Sequence, residues 1–291
     1  MGRNRLPTIV EFFAKVPVEM TSPQIRKVGA AMTMTPHNHA LLAEASRFAE
    51  RLGASLALIH TGTSESETQA YLKEAASELA ISYEKDIVWN QTEPAHALLS
   101  AAEQAGIELL VAGAFEGPVL NRRRFLGSVA RTLAESARFS VLLLAHPRVD
   151  VHGFRRVVAI TDFSQSSKLA CGHALWLAQK DSAECLHVIS IHTIFMEARA
   201  RTGAKDGRPV RTRAQEQRLM EDFIASLPKS EVPVDWRVVD ATTGFAACQF
   251  AESVGADLLV LPGHNRPEGC VPPMADWALQ VVPASLWIVR A

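Results

Sequence analysis

Apolar residues along this chain fall into short, nearly unbroken runs, and between the runs they recur every three to four positions. The runs at 28–32, 56–59, 83–88, 109–112 and 141–144 predict strands, and the helical spacing at 40–52, 66–79, 94–105 and 128–137 predicts helices between them. Stretches such as Leu109-Leu110-Val111-Ala112 and Val141-Leu142-Leu143-Leu144 lack any polar face. Such strands suit a parallel sheet buried on both sides, with right-handed crossover helices covering it. The same order then starts again. Strands are expected at 157–160, 186–191, 234–239, 258–261 and 286–289, and helices at 167–179, 214–227, 245–254 and 274–281.

The pattern repeats because the sequence does. Gly106-Ile-Glu-Leu-Leu-Val111 returns as Gly255-Ala-Asp-Leu-Leu-Val260, Arg26 to Thr33 lines up with Arg155 to Asp162, and Ser140-Val-Leu-Leu-Leu144 lines up with Ser285-Leu-Trp-Ile-Val289. The period is far above the roughly 20 to 50 residues of solenoid arrays, so each copy is expected to be a whole domain. The expected division is an N-terminal extension at 1–24, a first domain at 25–147, a linker at 148–153 and a second domain at 154–291. Residues 199–213, with five arginines and two glycines, read as a mobile loop. The expected fold is α/β: two tandem open parallel-sheet domains of Rossmann-like, nucleotide-binding type, each of five strands.

Composition changes this picture little. Of the 291 residues 48% are hydrophobic and 21% charged, an ordinary globular mix, and the net charge of −1 leaves no basic excess for nucleic acid or an acidic membrane surface. No apolar run reaches the ~20 residues that span a bilayer, and Met1 to Lys15 lacks the apolar core of a signal peptide, so a cytoplasmic location is expected. Cys171, Cys185, Cys248 and Cys270 show no CxxC spacing and read as packed, reduced thiols.

Ligands of open α/β sheets bind beyond the carboxyl ends of the strands. After the fourth strand of the first copy come Gly113-Ala-Phe-Glu-Gly117, nine residues, and Gly127-Ser128 opening a helix. Glycines let the backbone approach an anion, and a helix start offers free N–H groups and partial positive charge. Ser128 is placed to cap that helix and to reach a phosphate oxygen. An ordinary glycine loop with a serine cap has the same sequence.

The stretch Gly117-x9-Gly127-Ser128 leading into Val129-Ala-Arg-Thr-Leu133, with Val157-Val-Ala-Ile-Thr-Asp162-Phe-Ser164 in the second copy, resembles the universal stress protein family. The two copies cover nearly the whole chain, so the resemblance is to a tandem member. It implies an adenine-nucleotide site in which an Asp after strand one and a Gly-x2-Gly-x9-Gly-Ser/Thr loop after strand four hold ATP together. This chain divides that motif. The first copy keeps Gly117, Gly127 and Ser128, has Gly113 one residue too far away, and carries Thr33 where the Asp belongs. The second keeps Asp162, but Pro272-Pro273 stand where Gly-Ser would be, and proline offers no N–H to an anion. ATP or another adenine nucleotide is therefore expected in the first domain alone, with no metal beyond the Mg that accompanies a nucleotide. His264 and Arg266 could offer the second half a different contact.

Other candidates are weaker. Arg122-Arg123-Arg124 suits phosphate oxygens, although an exposed charge run is more often simply solvated. His37-Asn-His39 has alternate imidazoles and no third metal ligand in view. Asp162 suits capping or bracing of its turn as well as ligand contact. No Gly-x-Ser-x-Gly elbow, Walker lysine or paired metal motif appears, so a stress-response binding or signalling protein is expected rather than an enzyme. A weak ATPase or self-phosphorylating protein and a nucleotide-free interaction scaffold are the alternatives. The resemblance implies pairing of the two domains through their last strands, which would cover an apolar edge within one chain. Association of two chains and an unidentified protein partner stay open.

Overall fold

A computed structural model describes residues 22–33, 38–61, 65–89, 93–115, 125–150, 153–202, 211–243, 245–263 and 273–290. The first half contains β1 (Lys27–Met32), α1 (Asn38–Leu52), β2 (Ser55–Thr61), α2 (Glu65–Glu78), β3 (Lys85–Trp89), α3 (Pro94–Gln104), β4 (Leu109–Gly113), α4 (Ser128–Ser136) and β5 (Ser140–Leu144). The second contains β6 (Arg156–Ile160), α5 (Gln165–Lys180), β7 (Cys185–Thr193), α6 (Ile194–Thr202), α7 (Arg213–Ala225), β8 (Val234–Ala241), α8 (Ala246–Ser253), β9 (Leu258–Pro262), α9 (Pro273–Gln280) and β10 (Ser285–Val289). None of the described helices is long and apolar enough to cross a membrane.

The strands form one ten-stranded sheet in the order β3-β2-β1-β4-β5-β10-β9-β6-β7-β8. Pairing is parallel within each half and antiparallel where β5 meets β10, with Leu142 opposite Trp287. The last strands of the two halves thus cover each other's edges, as expected. One consequence governs the site: the carboxyl ends of the strands point one way in the first half and the opposite way in the second.

The repeated glycines have a backbone reason. Gly106 and Gly255 sit at φ +65° and +61°, just after α3 and α8. The left-handed conformation lets Ile107 N–H reach back to Ala102 O and Ala256 N–H to Ala251 O, closing each helix before the chain enters β4 or β9. Each helix–glycine–strand signature is therefore a helix stop followed by a central strand.

Apolar side chains cover both faces of the sheet. Leu42, Phe48, Leu72, Leu175 and Met220 pack on one face and Leu98, Leu133, Cys248 and Leu279 on the other. Trp287, fully buried at the seam, meets the Phe48 ring edge-on at 5.3 Å and stacks on His173 at 5.6 Å. Ala145 N–H donates to Ser285 Oγ at 3.2 Å and Arg290 N–H to Ser140 Oγ at 3.0 Å, so corresponding serines tie the halves together from both sides. An Arg51–Asp181 ion pair at 2.9 Å, both side chains largely buried, joins the halves again.

One element departs from the sequence reading. The stretch expected to be a loop begins inside α6, which continues directly from a longer β7 and runs to Thr202. Helix α6 has no buried residue, so it carries no apolar period to read. Polar contacts fasten it instead: Thr193 Oγ1 accepts from Met196 N–H at 3.2 Å, and Glu197 from Arg213 N–H at 2.9 Å. Residues 203–210, like Met1 to Thr21, lie outside the described residues.

Candidate functional site

Thr33, Gly113, Gly127 and Ser128 fall at one end of the sheet. β1 and β4 are neighbours, with Ala30 opposite Val111, so Thr33 and Gly113 emerge side by side at the carboxyl ends of those strands. Gly127 N–H donates to Ala114 O at 3.0 Å, which brings the start of α4 back against the end of β4. The residue next to Gly113 is pinned from the other side, Ala114 N–H donating to Leu144 O at 2.9 Å. A methyl group placed on Gly113 would meet nothing nearer than Leu41 Cδ1 at 4.0 Å, so the strand end is open. Gly117 and Arg122 to Arg124 lie outside the described residues.

The start of α4 differs from expectation in one respect. Gly127 is the cap residue, at φ −59° and ψ 156°, and Ser128 is the first helical residue. Ser128 therefore does not cap the helix through its own side chain; it stands where the helix presents its unpaired N–H groups. Thr132 Oγ1 donates to Ser128 O at 3.1 Å, and Arg131 N–H to Gly127 O at 2.9 Å, closing the first turn.

Thr33 is engaged within the protein. Its N–H and Oγ1 both approach Asn38 Oδ1, at 2.9 and 3.2 Å, where Asn38 opens α1. His39, next along, sets Nε2 2.6 Å from Glu78 on α2. No grouping of His, Cys, Asp and Glu suited to a metal ion occurs among the described residues.

Asp162 lies at the opposite end of the sheet, past β6. Its Oδ1 accepts from Ser164 N–H at 2.9 Å, bracing the turn, while Ser164 caps α5 by accepting from Ser167 N–H. Phe163 between them has φ +66°, an unusual conformation for a residue with a side chain, held because its N–H also donates to Thr161 Oγ1 at 3.0 Å. The surviving acidic residue and the surviving glycine-serine loop consequently face opposite directions. Within one chain they do not complete each other.

The second half also fills its equivalent strand end. Gly263 N–H donates to Val289 O at 2.7 Å, as Ala114 does to Leu144, but a methyl group there would fall 2.6 Å from Arg290 Cγ. Helix α9 starts at Pro273. His264, Arg266 and Pro272 lie outside the described residues.

Nearby is a polar network that no sequence spacing announced, because its members come from separate elements. His192, 4% exposed at the end of β7, sets Nδ1 2.7 Å from Glu216 of α7 and Nε2 3.1 Å from Glu197 of α6. Arg213 continues it to Asp240 at 2.8 Å. The network pins two helices across the carboxyl end of β7. A cavity of about 1240 Å³ opens elsewhere, lined by Arg51, Gly53, Trp176, Lys180 and Lys229 where α1 and α5 end, and contains none of the motif residues. Cys171 and Cys248 are buried free thiols, and burial pushes the Cys248 thiol up to about 11, so neither is activated.

Two tandem segments, residues 24–145 and 153–269, match the model of the universal stress protein family. The chain belongs to that family. Among curated proteins no sequence matches the chain. Solved structures share the fold over nearly the whole length of this tandem universal stress protein. A universal stress protein of Archaeoglobus fulgidus DSM 4304 is 16% identical with a TM-score of 0.62, covering 92% of this chain and 99% of its own. A protein of Pseudomonas aeruginosa UCBPP-PA14 assigned to the universal stress proteins is 17% identical with a TM-score of 0.70, covering 92% and 94%. One of P. aeruginosa PAO1, described as functionally unknown, is 16% identical with a TM-score of 0.69, covering 92% and 93%. At these identities the likeness is one of fold.

Proposed function

We propose that this universal stress protein is a stress-response binding protein that takes ATP or a related adenine nucleotide in its first half. The units are 25–147 and 154–291, joined by 148–153, and the protein works in the cytoplasm. The observation that carries the reading is the Gly127 N–H to Ala114 O bond at 3.0 Å beside the open strand end at Gly113. It sets the unpaired N–H groups of a helix start over a gap that a phosphate group fits. Gly113, Gly117, Gly127 and Ser128 would hold the phosphates, and Thr33 would border the ligand while bonded to Asn38. Mg enters only as the nucleotide's counter-ion. Asp162 braces the second half and stays out of this site.

Binding rather than catalysis follows from the chemistry present. The first half offers donors for an anion and places no carboxylate at the position of Thr33, so nothing there activates a water molecule toward the terminal phosphate. Titration calorimetry of the intact protein with ATP, ADP and AMP tests the reading. Heat is expected from ATP, declining as phosphates are removed. Absence of heat from all three would sink it.

A further inference from the structure

Helix α4 is held at its two ends by different halves of the chain. Its first turn follows Gly127 at the proposed phosphate end. Its far end is met by Arg290, which comes from beyond β10 of the second half: Nη2 donates to Ala134 O at 2.6 Å and Nη1 to Phe139 O at 3.2 Å. The last carbonyls of a helix have no intrahelical donor and carry partial negative charge, so a guanidinium there supplies both a forked donor and the opposite charge. Arg290 is 6% exposed, which keeps these bonds out of water.

The tie is reciprocal. Arg131, in the first turn of α4, donates from Nη2 to Leu279 O of α9 at 3.2 Å. Ala134 and Leu279 each stand six residues before the matching serines, Ser140 and Ser285, so corresponding helix ends are each met by an arginine from the other half. The sources of the arginines differ. Arg290 follows β10, where Ala145 follows β5, and alanine has no reach. The stem of Arg290 lies over Gly263, where any side chain would collide with it. The second half thus uses its own strand end to seat an arginine, where the first leaves that position open.

We propose that Arg290 is a positioning residue for the nucleotide site of the first half. α4 has nine residues, about 13 Å of rigid rod. Fixing its carboxyl end fixes where Gly127 and the first-turn N–H groups sit against Ala114. A second half that lines no part of the site thereby sets its geometry. The Arg51–Asp181 pair joins the halves on the opposite face of the sheet and gives no such control over α4. The inference rests on the nucleotide reading for the ligand, but the mechanical coupling can be read without one.

The test combines ATP titration with hydrogen exchange of the ligand-free protein, in wild type, Arg290→Ala and Arg290→Lys. Arg290→Ala should weaken ATP binding on the order of tenfold, as expected when a forked charge-assisted contact is lost. Exchange at the Gly127 and Arg131 amides should rise severalfold while the interior amides of α3 stay unchanged. Lysine, which keeps the charge but not the fork, should restore part of both. An Arg290→Ala protein with wild-type affinity and wild-type exchange at Gly127 would overturn the proposal. So would uniform loosening that includes α3, since that is general destabilisation. If wild type gives no ATP heat, the nucleotide reading falls, and exchange at Gly127 alone decides whether Arg290 positions α4.

Discussion

After the fourth strand of the first half, Ala114 N–H pairs with Leu144 O; at the same point of the second, Gly263 N–H pairs with Val289 O. The backbone is the same, yet what occupies the space beside it is not. In the first half the chain returns to present a helix start beside an open strand end, and in the second an arginine stem fills the position and the helix begins with proline. Duplication keeps the scaffold because the packed strands and helix stops tolerate little change. The ends of the strands diverge because they contribute little to the core.

The sharpest way to break the contrast is Gly127→Pro. It removes the N–H that closes the loop on Ala114, and ATP binding should fall by more than about tenfold with the second half unaltered. Nucleotide titration with a chemical-shift map of both halves would show this; retained affinity would place the ligand elsewhere. Next come the two strand-end positions themselves. Gly263→Ala must displace Arg290 and should cost about 1–3 kcal/mol, whereas Gly113→Ala should stay within about 0.5 kcal/mol. Urea denaturation of both variants decides, and equal midpoints would contradict the packing difference.

A finer comparison concerns one helix position seen twice. Glu44 of α1 corresponds to His173 of α5, and burial drives both toward neutrality. The Glu44 carboxyl is pushed up to about 7 by burial, against the Arg148 backbone N–H, Arg51 and Arg47, which favour its charge. Burial pushes the His173 imidazole down to about 4. The signs are opposite. Glu44 binds its proton more tightly when folded, so stability is lost as pH rises from the ordinary carboxylate range through about 7. His173 binds its proton more weakly when folded, so stability is lost as pH falls from the ordinary imidazole range through about 4. Glu44→Gln should flatten the loss on the neutral side and His173→Gln the loss on the acid side, each read from melting temperature against pH. The smallest effect is expected from Ser128→Ala, a few-fold loss of ATP affinity, since the neighbouring N–H groups remain.

Much of the fold was legible because strands and helices announce themselves through burial. Apolar runs such as 141–144 mark strands buried on both faces, and Gly106 and Gly255 mark helix stops through a conformation that glycine adopts freely. Helix α6 was not legible, since a helix that buries nothing leaves no periodic trace. In the candidate site the glycines and Ser128 could be read from spacing. The capture of Thr33 by Asn38 could not, because a short polar side chain near a helix start has several partners within reach. Nor could Arg290, whose partner Ala134 is 156 positions away and recognises it through a backbone carbonyl, which no sequence motif records. The opposed directions of the two halves follow from the antiparallel β5–β10 seam, and they separate Asp162 from the loop it would serve in a single-copy relative.

The central claim is that one chain holds one nucleotide, in the half that keeps the open strand end. Native mass spectrometry of the intact protein with ATP, beside its Gly127→Pro variant, measures this most directly. One bound ATP per chain, lost in the variant, is the predicted result; two per chain, none, or one that survives Gly127→Pro would contradict it.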